Sequence, residues 1–189
     1  MRLDQIANEY GDSVDIEWRS FLLRPQPEPR SMESFTRYTE SWSRPASIEP
    51  ATQFTTPWTG QNQPPSHSIP SAIAGKVALG FGPELFHRFH RSLLEAYFTH
   101  NLTISDPAVL ADLAESSGID RTEWDEKMNP SPHPLMEAVI DDHNDAINSG
   151  VTGVPAVVVD GKYVIPGAVD VDLYRRVIDH HLTETNTDH

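Results

Sequence analysis

Residues 150–165, Gly-Val-Thr-Gly-Val-Pro-Ala-Val-Val-Val-Asp-Gly-Lys-Tyr-Val-Ile, carry more structural information than any other part of the chain. Ala156-Val157-Val158-Val159 is a short, continuous apolar strand. Asp160-Gly161 is a two-residue turn that accepts positive φ, and Tyr163-Val164-Ile165 is the returning strand of a hairpin. Pro155 stands immediately before the first strand and has no N–H to give to a ladder. A Val-Pro bond is also one of the few peptide bonds for which the cis form costs little. A cis bond turns the backbone of Val154 outward at the strand's edge, where it can pair with an extended peptide or a thiol-bearing ligand. A trans proline that merely starts a strand suits the same residues.

Outward from the hairpin the period changes. Pro166-Gly167 ends it, and Asp170 is placed to cap a helix carrying Leu173, Tyr174, Val177 and Ile178, with Thr183 to His189 expected to fray. On the other side, Gly150 closes a helix from about Pro134 to Ser149, with Leu135, Val139, Ala146 and Ile147 inward. Asp120 and Glu123 have the spacing of a capping box, with Trp124 and Met128 behind them. Asp106-Pro107 opens a helix ended by Gly118. Pro83 opens another, with Leu85, Phe86, Phe89, Leu93 and Tyr97 inward, and Ser71 to Leu79 forms one more. Pro45 to Pro70 reads as a long surface loop pinned by Phe54 and Trp58, and Ser31 can cap a short helix with Met32, Phe35, Tyr38 and Trp42. Val14, Ile16 and Trp18 alternate with polar neighbours and run into Phe21-Leu22-Leu23 before Pro25, which predicts a strand. Leu3, Ile6, Ala7 and Tyr10 share one helical face that Gly11 ends. That helix starts without a cap.

Composition narrows the function. The 189 residues include no cysteine, which excludes disulfides, thiolate metal sites and a cysteine nucleophile from this chain. Fourteen Lys and Arg against 28 Asp and Glu leave a net charge of −14. A field of that sign repels phosphate backbones and anionic membranes, so neither nucleic acid nor membrane is an expected partner. No apolar run is long enough to span a bilayer, and Met1 to Gln5 carry no signal core. A soluble, cytoplasmic protein is expected.

Gly150 to Pro155, followed by Val157 to Ile165 and Gly167-Ala168, resembles the C-terminal half of DsbA-like thioredoxin-fold proteins. The nearer likeness is to their FrnE-type and 2-hydroxychromene-2-carboxylate isomerase-like branch. Phe86-His87, Ala96-Tyr97-Phe98, Ile104-Ser105-Asp106 and Leu110 to Ala114 are similar to that branch's helical insertion, and Val14 to Pro25 to its second strand and exit. The resemblance implies an α/β thioredoxin-like fold over residues 1–189, with a core at 1–23 and 150–182 and a loop and helical insertion at 24–149. It also implies thiol–disulfide exchange through a mixed disulfide, with Thr152, Gly153, Val154 and Pro155 holding the substrate's backbone. The family's own first strand and the Cys-X-X-Cys motif, or the serine that replaces it, have no counterpart here. A helix N-terminus activates the thiol in that motif.

The central first strand is therefore expected to be missing, leaving a slot between the strands near residues 16 and 157. Either an upstream segment carries the strand and motif, which the uncapped start favours, or the chain is a redox-dead relative that repacks or borrows a strand. The function implied is a DsbA-family thiol–disulfide oxidoreductase, here without its redox cysteines. A glutathione-dependent isomerase or transferase of the same fold is one alternative, and a redox-inactive peptide-binding module the other. A thiol or disulfide substrate, whether a protein or a glutathione-like small molecule, is the expected partner. No catalytic residue, metal ligand or cofactor is assigned within the chain.

Other polar clusters read as structural. His87 and His90 with Glu84 have ligand spacing, with Asp141 or His143 as remote additions, but beside Phe86 and Phe89 they suit a helix surface better. His180-His181 reads as solvated. Asp141-Asp142 and Asp145 read as the polar face of a helix rather than a cation or acid/base site. Trp18, Trp42, Trp58 and Trp124 read as anchors, with Trp58 also placed to cover a ligand. Gly150 to Gly153 lacks the lysine and following helix of a phosphate loop.

Overall fold

The computed structural model describes residues 2–48 and 53–187. Its elements divide into two compact units, residues 1–21 with 140–189 and residues 22–139.

The first unit contains α1 (Arg2–Tyr10), a 3-10 turn at Gly11–Ser13, an extended segment at 14–20, the hairpin β1 (Ala156–Val159) and β2 (Tyr163–Pro166), and α9 (Val171–Thr187). The turn has Asp160 at φ 48° and Gly161 at φ 69°, with Lys162 N donating to Val159 O at 3.0 Å, so that residues 160–162 separate the paired Val159 and Tyr163. β1 and β2 are antiparallel, with Val157 opposite Ile165 and Val159 opposite Tyr163. Ile165 is buried with Ile6 of α1 and Tyr174 and Ile178 of α9, while Val14, Val157 and Val159 pack against the same cluster. Arg175 ties the helices together, with Nη2 2.6 Å from Glu9 Oε1 and Nη1 2.5 Å from Asp172 Oδ1. That guanidinium, helped by Gln5, holds the Glu9 carboxyl at about 2. Tyr10 donates to Asp179 Oδ1 at 2.7 Å; burial and that carboxylate push its phenol up to about 12. The C-terminal helix continues to Thr187, past the expected fraying point.

The second unit is helical: α2 (Met32–Thr39), α3 (Ser43–Ile48), α4 (Ile69–Leu79), α5 (Pro83–Phe98), α6 (Pro107–Ser116), α7 (Arg121–Met128) and the start of α8 (Met136–Asn148). The caps are local and sequence-encoded. Ser31 Oγ accepts from Ser34 N, Asp106 Oδ1 from Ala108 N, and Asp120 Oδ1 from Glu123 N. Trp58, fully buried, meets Phe35, Trp42 and Tyr97 at ring-centroid separations of 5.1–6.3 Å. Its Nε1 donates to Asn62 O and its backbone N donates to Thr39 Oγ1, so it is a core anchor here. The expected loop from Pro45 to Pro70 is shorter, because α3 occupies 43–48 and α4 starts at Ile69; residues 49–52 lie outside the described residues.

One element departs from expectation. Val14 is extended, at φ −138° and ψ 125°, and residues 14–20 alternate strictly between half-buried and exposed, yet form no strand. Leu22 is buried in the other unit and Leu23 is exposed. A period of two reports an extended chain with one face covered; a ladder also needs a neighbouring backbone. Among the described residues the sheet is the hairpin alone.

Candidate functional site: the edge of the first strand

α8 delivers the chain to the candidate loop. Gly150, at φ 89°, ends the helix with its N–H on Ile147 O, and Val151 donates to Ala146 O and is buried. From that anchor Thr152, Val154 and Pro155 are exposed, and Gly153 is half-buried. The Val154–Pro155 bond is cis, as are Thr56–Pro57 and Ser131–Pro132.

The hairpin register decides which peptide groups are free. Gly167 N donates to Pro155 O at 2.8 Å, and the pairing continues through Val157 with Ile165 and Val159 with Tyr163. An antiparallel strand turns alternate residues' peptide groups to opposite edges, so those of Val154, Ala156 and Val158 face away from β2. Thr152 and Gly153 add further peptide groups that no described residue engages. Side chains alternate in the same way: Val157 and Val159 face the core, whereas Val154 and Val158 are 50% and 38% exposed. No lysine, proline or covering side chain within β1 blunts this edge, which is a template for another extended chain. The four residues singled out in the sequence are contiguous with it.

The same unit holds a second polar arrangement that the sequence does not reveal. Asp142 of α8 is 7% exposed and its Oδ2 accepts the backbone N–H of Ser20 at 2.8 Å. One turn on, Asp145 pairs with Arg19 at 3.2 Å, and Arg19 also reaches Glu17 at 3.1 Å. His143 meets the ring of Phe21 edge-on at 4.9 Å. The solvated acidic face expected of α8 thus holds for Asp141, while Asp142 and Asp145 pin the extended segment. Nothing in the helical period distinguishes these acids, because their partners lie some 120 residues away in sequence.

The remaining candidates stay apart. His87 is exposed, and His90 stacks on Phe86 at 5.5 Å. Among the described residues, no three His, Asp or Glu side chains come together as metal ligands. His181 lies 3.2 Å from Asp160 and is largely covered, so of the His180-His181 pair only His180 is solvent-exposed. No helix among the described residues is long and apolar enough to cross a membrane.

Hairpin, flanking helices α1 and α9, and proline-led strand together define a thioredoxin-type half with a helical insertion. The chain belongs to the DSBA-like thioredoxin domain family, whose model matches residues 1–179. It is similar to the uncharacterized protein YwbO of Bacillus subtilis (strain 168), at 26% identity over 181 residues, covering 89% of this chain and 82% of that protein. In structure it is similar to a "putative protein disulfide isomerase" from Nitrosomonas europaea, with a TM-score of 0.76 and 18% identity, covering 97% of this chain and 89% of that one. The latter likeness shows the fold alone. The architecture is thus that of thiol–disulfide oxidoreductases, in a sequence without cysteine.

Proposed function

We propose that Thr152, Gly153, Val154 and Pro155, with the free edge of β1, hold the extended backbone of a thiol- or disulfide-bearing peptide. The observation that carries this reading is the row of unengaged peptide groups at Val154, Ala156 and Val158. An added strand gains main-chain hydrogen bonds there, and the exposed Val154 and Val158 offer shallow apolar contact for alternate side chains. Membership of the DSBA-like family supports a sulfur-containing ligand. The exchange itself is attack by a thiolate on a disulfide, which forms one S–S bond and expels the other sulfur as a thiolate. The 189 residues supply no such thiolate, so the role proposed for this chain is to bind and align.

A second reading, a peptide-binding module without redox turnover, is favoured by that same absence of cysteine. Titration with an extended peptide carrying a central cysteine, followed by amide NMR, tests both. Shifts are expected at Thr152, Ala156 and Val158. Ala156→Pro removes one outward-facing donor and leaves the hairpin bonds of Val157 and Val159 in place, so it is expected to weaken binding about tenfold. Shifts confined to other elements, or unchanged affinity in Ala156→Pro, would overturn the edge assignment. A serine analogue that binds as tightly as the cysteine peptide would select the second reading.

A further inference from the structure

The helical unit contains a cavity of about 290 Å3 whose lining opposes the charge of the rest of the protein. It is formed by His87, Arg88, Arg91 and Ser92 on successive turns of α5, facing Ser116 and Ser117 at the end of α6. No acidic side chain lines it, in a chain of net charge −14. Two guanidiniums are concentrated here. The arginine most free to act is Arg91, which is exposed and has no hydrogen bond or ion pair within the described residues. Among the described residues Arg88 has a single, long ion-pair contact, 3.7 Å, with Glu84 one turn away.

These arginines do not serve as caps for α6. Its last carbonyls are already taken: Leu113 O and Ala114 O accept from Ser117 N, Ala114 O also from Ile119 N, and Glu115 O from Gly118 N. Both serine hydroxyls spend their hydrogens on Leu113 O, at 2.9 Å from Ser116 and 2.7 Å from Ser117. Ser117 is 3% exposed, so this arrangement is built into the wall. Ser92 Oγ lies 3.5 Å from Ser117 Oγ. The cavity therefore offers two kinds of group. From α5 come the N–H donors of two cations, and from α6 come serine oxygens whose lone pairs remain free to accept.

A simple dianion uses the first kind and leaves the second unmet. An oxyanion that still carries a hydrogen uses both, with its charged oxygens on the guanidiniums and its O–H on a serine oxygen. We propose that this cavity is a binding site for hydrogen phosphate, a small oxyanion that keeps a hydrogen near neutral pH. The site is independent of the strand edge and of any sulfur chemistry.

The test titrates the full chain with inorganic phosphate at constant ionic strength, reading amide shifts at 87–92 and 115–118. Saturable shifts are expected at those positions and not in α9. Arg91→Gln and Arg88→Gln are each expected to weaken phosphate about tenfold, the loss of one charge-assisted pair. Arg176→Gln, at an exposed arginine elsewhere, is expected to leave it unchanged. Sulfate, with no hydrogen to give near neutral pH, is expected to bind several-fold more weakly. Absence of saturable shifts, equal weakening by Arg176→Gln, or sulfate binding equal to phosphate would each overturn the proposal. A phosphomonoester, mostly without a phosphoryl hydrogen near neutral pH, is expected to bind more weakly than phosphate at the same residues, and tighter binding would overturn the proposal.

Discussion

The helical unit and the thioredoxin-like unit solve the same problem with opposite completeness. In residues 22–139 each helix satisfies its own interior backbone, Ser31, Asp106 and Asp120 satisfy helix ends, and the Phe35, Trp42 and Trp58 cluster closes the interior. In residues 1–21 and 140–189 the apolar side chains are equally well placed, but the backbone is not. β1 pairs on one side, and residues 14–20 run extended without a ladder. A helix is complete within one segment, whereas a strand needs another strand, so a unit can bury its side chains and still present unengaged backbone. That asymmetry leaves an unpaired strand edge on one unit and self-contained packing on the other.

Several substitutions bear on this contrast. The largest effect is expected for Trp58→Ala, which empties the centre of the aromatic cluster. A loss of about 3–5 kcal/mol is expected in denaturant unfolding. Hydrogen exchange should show whether residues 22–139 lose protection selectively. Equal loss of protection at Ile165 would break the contrast and show one cooperative whole.

Next in size is Ile165→Ala, expected to cost about 2–5 kcal/mol and to loosen the hairpin with α1 and α9. Asp142→Asn then tests the pin on the extended segment. A charge-assisted bond to Ser20 N–H becomes a neutral one, and a cost of about 1–3 kcal/mol with faster exchange of the Ser20 amide is expected. If Ser20 exchange is unchanged, Asp142 does not hold the segment.

Acid should discriminate the units as well. Glu9 is held at about 2 in the folded protein against an ordinary value of 4.5, chiefly by Arg175. A lowered folded value means that its contribution is present above pH 4.5 and is lost as pH falls through about 2. The acid limb of a stability–pH curve is therefore expected to flatten over that window in Glu9→Gln, with the effect read at α1 and α9. The smallest effect on stability belongs to Val158→Lys, within about 0.5 kcal/mol because Val158 is already partly exposed. The same change adds a charge to the open edge and is expected to weaken peptide binding. A large stability loss in Val158→Lys would mean that the edge is covered in solution.

The two units also differ in how far sequence exposes them. Pro83, Pro107, Asp120 and the inward stripe of α5 act within a few residues of themselves, and the helices fall where those signals put them. The Asp160-Gly161 hairpin is equally local. The extended segment is not. Val14, Ile16 and Trp18 alternate as a strand should, yet the alternation records only that one face is covered. Asp142 likewise occupies a polar position in α8 and becomes buried only because Ser20 lies against it. The cationic cavity was invisible for a similar reason. Arg88 and Arg91 look like ordinary surface arginines until α6 brings Ser116 and Ser117 opposite them.

By itself, the sequence determined the starts of α5, α6 and α7, the hairpin, the proline-led loop at Thr152 to Pro155, and the lack of any sulfur nucleophile. Each of these rests on interactions between residues close in the chain, or on composition. Tertiary structure alone decided which peptide groups of β1 stay free, which acids of α8 are buried, and where two arginines meet two serine oxygens. Those outcomes depend on pairing and packing between distant segments, whose energies no local pattern encodes.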